Sequence, residues 1–271
     1  MQRATPASAV HAELGMGAGR CPEPSPWIGK GSAVDSVPDV NRDWITIHVM
    51  TGPATFTVLA DNFVARDISF KNTYRAMDMS KQNQAVAALV GGDKSAFYGC
   101  EFHGFQDTLC DCLGRHYFRR CLVRGGVDFV FGYGQSIYED CVLVSDMPPG
   151  PQPGWATAHA RVAAGSPGGL VFKGGRRRGR HRPHLPRPRL ERLRHRRVLR
   201  HAHGRRRRAA GVAAWNAAND VSQVTFAEVG CSGPGSDMSR REGWEKRLSD
   251  EEVKRFVDMK FIDDGWLSTQ P

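Results

Sequence analysis

Four polar side chains have the types and the spacing to do chemistry together: Gln84, Gln106, Asp107 and Asp128. Gln84, Gln106 and Asp128 recur at intervals of 22 and 22, and Asp107 precedes Asp128 by 21. If the chain coils with that period, such residues stack on one face, about 4.8 Å apart, the strand spacing of a sheet. Two carboxylates about 5 Å apart cannot both ionise freely, so one stays protonated. One residue type then supplies both an acid and a nucleophile, and the two amides can donate to a developing oxyanion. Retaining glycosidases also hold carboxylates about 5–5.5 Å apart, and polar ladders that merely satisfy turns share this spacing. The two glutamines favour acyl chemistry, because an oxyanion hole serves a tetrahedral intermediate.

The elements that must hold these residues are short strands. The runs 63–70, 96–102, 117–123 and 137–143 share one pattern: an apolar start, then Asp or Cys, then further apolar positions. Cys100, Cys121 and Cys141 recur at intervals of 21 and 20. A repeat of about this length, with no helical pattern between the strands, predicts a solenoid of the parallel β-helix type with the cysteines stacked inward. Residues 44–49 alternate like a further strand. Near the end, Ser249 followed by Glu252 three positions on reads as a capping box opening a helix over 248–257.

Composition sets the outer bounds. In 271 residues, 40% hydrophobic and 24% charged, wholesale disorder is excluded, and no stretch approaches the roughly 18 apolar residues of a membrane span. Thirty Gly and sixteen Pro favour many turns over long helices. The net charge of +10 belongs to one segment. Between Arg176 and Arg208 stand sixteen Arg, no Lys and a single acid, Glu191, for a formal +15; the rest of the chain carries −5. Seven cysteines fit poorly with a fully bridged scaffold, and Cys110 and Cys112 lack the two-residue gap of a zinc pair, so no metal is expected. Residues 1–33 read as an unrelated leader, and Met1 to Pro26 has no apolar core of a signal peptide.

Several blocks in order resemble the signature blocks of plant pectinesterases: Asp61 to Thr73, Gln84 to Ala87, Gly104 to Leu109, Gly125 to Gly132 and Gly169 to Gly174. The resemblance covers Val34 to Gly175 and resumes at Trp215, which sets a domain over 34–271 interrupted at 176–210. It implies an all-β fold, a right-handed single-stranded parallel β-helix, and removal of methyl esters from pectin to give pectate and methanol. It implies Asp128 as nucleophile, Asp107 as general acid and then base, and Gln106 and Gln84 in the oxyanion hole. Phe105, Phe129 and Trp155 are the expected sugar contacts. No cofactor is implied. The expected setting is a secreted monomer in the cell wall, with pectin as partner and neither nucleic acid nor membrane.

The chain departs from the family pattern in two places. Met50 to Phe56 joins strands that the family separates by further coils. The arginine segment, expected to be unstructured, replaces a Leu-Gly-Arg-x-Trp block in which the family's Arg holds the nucleophilic carboxylate and its Trp binds substrate. One set of GC-rich codons for Pro186 to His195, read one base later, encodes Leu-Gly-Arg-Ala-Trp, which is consistent with a shifted frame. The alternative reading is an inactive remnant whose arginines bind polyanions by counterion release. Sequencing the transcript from Lys173 to Asn216 is expected to reveal an open frame encoding that block; a frame encoding the arginine run would overturn the reading.

Overall fold

The computed structural model describes residues 54–74, 84–147, 154–159, 167–179, 191–192, 197–200, 225–232, 239 and 243–270. The leader and the run 44–49 lie outside them. Five coils follow one another, each contributing one strand to each of three sheets. The first coil holds β1 (Ala54–Val58), β2 (Val64–Arg66) and β3 (Ser69–Lys71). The second holds β4 (Val86–Val90), β5 (Ser95–Tyr98) and β6 (Glu101–His103), and the third β7 (Leu109–Asp111), β8 (Arg115–Arg119) and β9 (Leu122–Gly125). The fourth holds β10 (Val130–Gly132), β11 (Gln135–Glu139) and β12 (Val142–Ser145), and the fifth β13 (Thr157–His159), β14 (Gly169–Lys173) and β15 (Arg176–Gly179). Strands one coil apart pair in parallel, so the first sheet runs β1-β4-β7-β10-β13. This is a parallel β-helix.

Each run that reads as one strand in the sequence is two strands around a corner. Asp67, Gly99, Arg120, Asp140 and Gly174 occupy that corner, all in the left-handed region at φ between 53° and 68°. Backbone bonds link corner to neighbour, as from the Gly99 amide to the Arg119 carbonyl (2.9 Å) and from the Arg120 amide to the Glu139 carbonyl (2.9 Å). The residue after each central corner turns inward, so Cys100, Cys121 and Cys141 stack in the core as free thiols. Beside them runs an aromatic ladder in strand register. Phe97 stacks on Phe118 at 5.0 Å, Phe118 on Tyr138 at 4.4 Å, and Tyr138 on Phe172 at 4.7 Å. Parallel register makes like stack on like, and each pair contributes about 0.5–1.5 kcal/mol beyond its burial.

The interior also holds one polar knot. Asp111, fully buried, accepts from Ser136 Oγ (2.9 Å) and Tyr138 Oη (2.7 Å) and lies 2.6 Å from His116 Nδ1. His116 Nε2 donates to the Gly92 carbonyl at 2.9 Å. Burial pushes the Asp111 carboxyl up, but the charge on His116 and these hydrogen bonds outweigh it and hold it below its ordinary value. The knot, a buried Asp–His pair with two further donors, ties the second, third and fourth coils.

The outer face of the second sheet is covered by the C-terminal segment. Helix α1 (Asp250–Val257) carries the expected capping box between Ser249 and Glu252. Val253, Phe256 and Val257, with Ile262 and Trp266, pack on the outward row Ala96, Tyr117, Ile137 and Val171. Arg115 bridges Asp93 (2.6 Å) and Asp264 (2.8 Å) and so latches the tail to the coils.

The arginine segment corrects the expectation that it holds no strand. β15 continues the third sheet in parallel, while β16 (Glu191–Arg192) and β17 (Arg197–Arg200) pair antiparallel with β15 and β14. β18 (Thr225–Glu228) then pairs with β17. A sheet edge templates a strand through backbone groups alone, which arginine possesses like any other residue. The side-chain consequence is visible at Arg177, which takes the inward register position after Phe70, Phe102, Val123 and Leu143.

Asp111→Ala leaves His116 buried without its carboxylate and is expected to destabilise the protein by about 3–5 kcal/mol in urea unfolding. A loss below about 1 kcal/mol would contradict a buried, mutually dependent Asp–His pair.

Candidate active site

Asp107 and Asp128 sit at the same point of successive coils, just before the first-sheet strands β7 and β10. Both adopt the left-handed conformation, at φ 59° and 46°. Aspartate tolerates this region better than most residues, and strain of this kind gathers at functional sites. Two further contacts fix the pair of turns. The Asp107 amide donates to the Val127 carbonyl (3.1 Å), and the Gly126 amide donates to the Phe105 carbonyl (2.7 Å).

The register refines the expected column. Gln84 pairs with Gln106, but Gln106 pairs with Val127, not with Asp128. The carboxylates therefore align with each other, Asp107 to Asp128, and the glutamines form a neighbouring column one residue before them. The two equal intervals in the sequence conceal this, because the coil that starts at Gln106 closes at Val127, one position short of Asp128.

The two carboxyls differ in environment. Asp107 is 7% exposed, whereas Asp128 is half-buried. Burial, then the charge of Asp128, pushes the Asp107 carboxyl up to about 7, against a hydrogen bond from the Gln84 side chain that favours its ionised form. At neutral pH one member of the pair thus retains a proton. Gln84 is exposed and Gln106 half-buried, so both amides lie at the accessible side of the pair.

The aromatic expectations divide. Phe129 is fully buried and belongs to the inner core, so it offers no face to a ligand. Phe105 is 4% exposed, and its ring packs where a side chain on Gly126 would stand, 2.6 Å from that β-carbon position. Both residues are corrected from sugar contacts to packing. Trp155 stays half-buried on the coil after Asp128, its amide bonded to the Gly126 carbonyl (3.0 Å). Phe131, not singled out in the sequence, lies on the opposite side of β10 from the inward Val130, in a row with Cys110 and Leu89. Strand alternation alone would set Phe129 and Phe131, two positions apart, on one face; they part because Phe129 lies in the turn before β10, so that Phe129 and Val130 both enter the core. A cavity of about 320 Å³ lies elsewhere, between β18 and α1, lined by Lys246, Arg255 and Phe256 among others.

Comparison with known proteins agrees with this geometry. The family model described as Pectinesterase matches residues 27–265. "Probable pectinesterase 29" of Arabidopsis thaliana is 36% identical over 88% of this chain and 84% of its own length. "Probable pectinesterase 55" of the same plant is 41% identical, over 84% of this chain and 72% of its own. The structure of "Pectin methylesterase from Carrot" superposes with a TM-score of 0.66 at 26% identity, covering 80% of this chain and 71% of that one. With the architecture thereby that of a right-handed parallel β-helix, the chain belongs to the pectinesterase family.

Proposed function

We propose that this chain carries out its family's hydrolysis of pectin methyl esters with Asp128 as the nucleophile and Asp107 as the proton donor. The observation that carries the assignment is the asymmetry of the pair: aligned carboxyls, one buried and protonated to about 7, the other accessible. The Asp128 carboxylate attacks the C6 carbonyl carbon of a galacturonate methyl ester. The resulting oxyanion is met by the side-chain N–H groups of Gln84 and Gln106, which cost no reorganisation as charge develops. Asp107 gives its proton to the departing methoxy oxygen, and methanol leaves an acyl-enzyme on Asp128. Asp107, now a carboxylate, takes a proton from water, whose oxygen attacks the acyl carbon. Asp128 departs ionised, and Asp107 is protonated again for the next cycle.

Trp155 supplies the aromatic flank against which a sugar ring lies. An extended, methyl-esterified homogalacturonan is the substrate that suits a site on an open sheet face. The protein works in the cell wall as a monomer. Among the described residues no helix is long and apolar enough to cross a membrane. The polyanion-binding alternative has no observation in its favour beyond the arginine run, most of which lies outside the described residues.

Asp128→Asn is expected to lower methanol release from methyl-esterified pectin at least 10³-fold, with unchanged circular dichroism. The wild type is expected to release methanol without new reducing ends; chain cleavage would favour a glycosidase instead. A variant that kept its rate would remove Asp128 from the role. The pH dependence follows from the protonated acid. Activity is expected to fall as pH rises through about 7, where Asp107 ionises. Because the folded state raises this carboxyl, its ionisation destabilises the fold progressively between the ordinary carboxylate range and about pH 7. Asp107→Asn is therefore expected to raise Tm more at pH 8 than at pH 4.5 while abolishing turnover. An equal Tm change at both pH values would contradict the protonated assignment.

A further inference from the structure

Thr108 follows Asp107 and is fully buried, yet it is a polar residue at the seam between the two catalytic turns. Its hydroxyl donates to the Arg124 carbonyl, at the far end of the same coil, at 3.2 Å. Its carbonyl accepts from the Ala87 amide on the preceding coil at 2.8 Å. One residue thus ties the Gln84 coil to the Asp107 coil and to the strand that leads into the Asp128 turn. Two glycines make room for it. A β-carbon on Gly104 would stand 2.7 Å from Thr108 Oγ1; one on Gly125 would stand 2.8 Å from the same oxygen and 2.2 Å from the Phe129 β-carbon, so Gly125 makes room for both. Neither glycine is in the left-handed region. Space for this side chain, not backbone conformation, explains Gly104, whose β-carbon would meet the oxygen and both other heavy atoms of the Thr108 side chain at 2.7–3.2 Å. The Thr108 hydroxyl is wedged between the α-carbons of Gly104, at the start of the Asp107 turn, and Gly125, at the start of the Asp128 turn.

We infer that Thr108 is a positioning residue for the esterase reaction: its wedged hydroxyl sets the height of the Asp107 turn against the Asp128 turn, and so the spacing of the two carboxyls. The inference rests on the proposed roles of those aspartates. The hydroxyl touches neither substrate nor reacting atoms; it acts through the backbone at Arg124, one residue before Gly125. Displacing a catalytic group by about 1 Å can reduce turnover by about 10²-fold, so a small shift at this seam has a large readout.

The test compares Thr108→Val, which keeps the branched shape and loses the hydroxyl, with Thr108→Ser, which keeps the hydroxyl. Thr108→Val is expected to lower kcat roughly 10- to 100-fold with KM unchanged, and to move the alkaline limb of the kcat profile to lower pH as the carboxyls part. Thr108→Ser is expected to restore kcat and the limb. Gly104→Ala presses on the same hydroxyl from the other side and is expected to reproduce the loss, which keeps the test open if Thr108→Val does not fold. A Thr108→Val or Gly104→Ala protein with wild-type kcat and an unmoved limb, whatever its Tm, overturns the inference. Asp107→Asn and Asp128→Asn, assayed alongside, separate the two levels. If either remains active the catalytic reading itself has failed; if both are inactive and Thr108→Val is not impaired, only the positioning role has.

Discussion

The distance between hydrogen-bonded parallel strands is the constraint on which the rest of this molecule depends. It is about 4.8 Å wherever strands pair, and one coil of a solenoid advances by that amount. Residues one coil apart are thereby neighbours in space, although 21 positions separate Asp107 from Asp128. The same spacing stacks Phe97, Phe118, Tyr138 and Phe172 at 4.4–5.0 Å between ring centres. It also stacks three thiols along the corner. One interaction, repeated, produces both the core and a pair of carboxyls close enough to perturb each other. A carboxylate pair in a helix or loop scaffold needs dedicated packing to hold it; here the ladder holds it by default.

What the ladder does not set is the difference between the two acids. That arises from depth. Asp107 is buried, and Asp128 is only half so. Burial and the neighbouring negative charge act in the same direction on Asp107, so its proton is retained toward neutrality. The fold meets an electrostatic penalty there at higher pH, of the sort that active sites carry for function. Elsewhere in the interior the opposite arrangement holds. Asp111 is more deeply buried still, yet its carboxyl is held below its ordinary value, because His116, Ser136 and Tyr138 converge on it. Two buried aspartates four positions apart are thus shifted in opposite directions, according to whether donors or another carboxyl face them.

The arginine segment illustrates how far backbone and side chain can part company. A growing sheet edge accepts any backbone able to extend, so β15 joins the third sheet although it is composed of arginine and glycine. The register then assigns side chains without regard to chemistry and sets Arg177 in the row led by Phe70 and Phe102. In the earlier coils that row is apolar.

The amino-acid sequence by itself determined the class of fold and the coil spacing that brings two aspartates together. Periodicity survives in a linear reading, and the spacing of Cys100, Cys121 and Cys141 alone announces the coil length. The C-terminal capping box was equally legible, because its signal lies within one turn of the chain, from Ser249 to Glu252. Tertiary structure alone decided which residues face one another. The corners were hidden because residues as unlike as Asp67, Gly99 and Arg120 share one left-handed conformation. The one-residue offset that aligns Asp128 with Asp107 and not with Gln106 follows from hydrogen-bond register. The assignment of Phe129 to the core and Phe131 to the other side follows from the turn at Phe129, since strand parity alone would put both on one face. The knot at Asp111 gathers His116, Ser136 and Tyr138 from across the coils. Such a meeting has no local signal, because its partners become neighbours only once the chain has coiled.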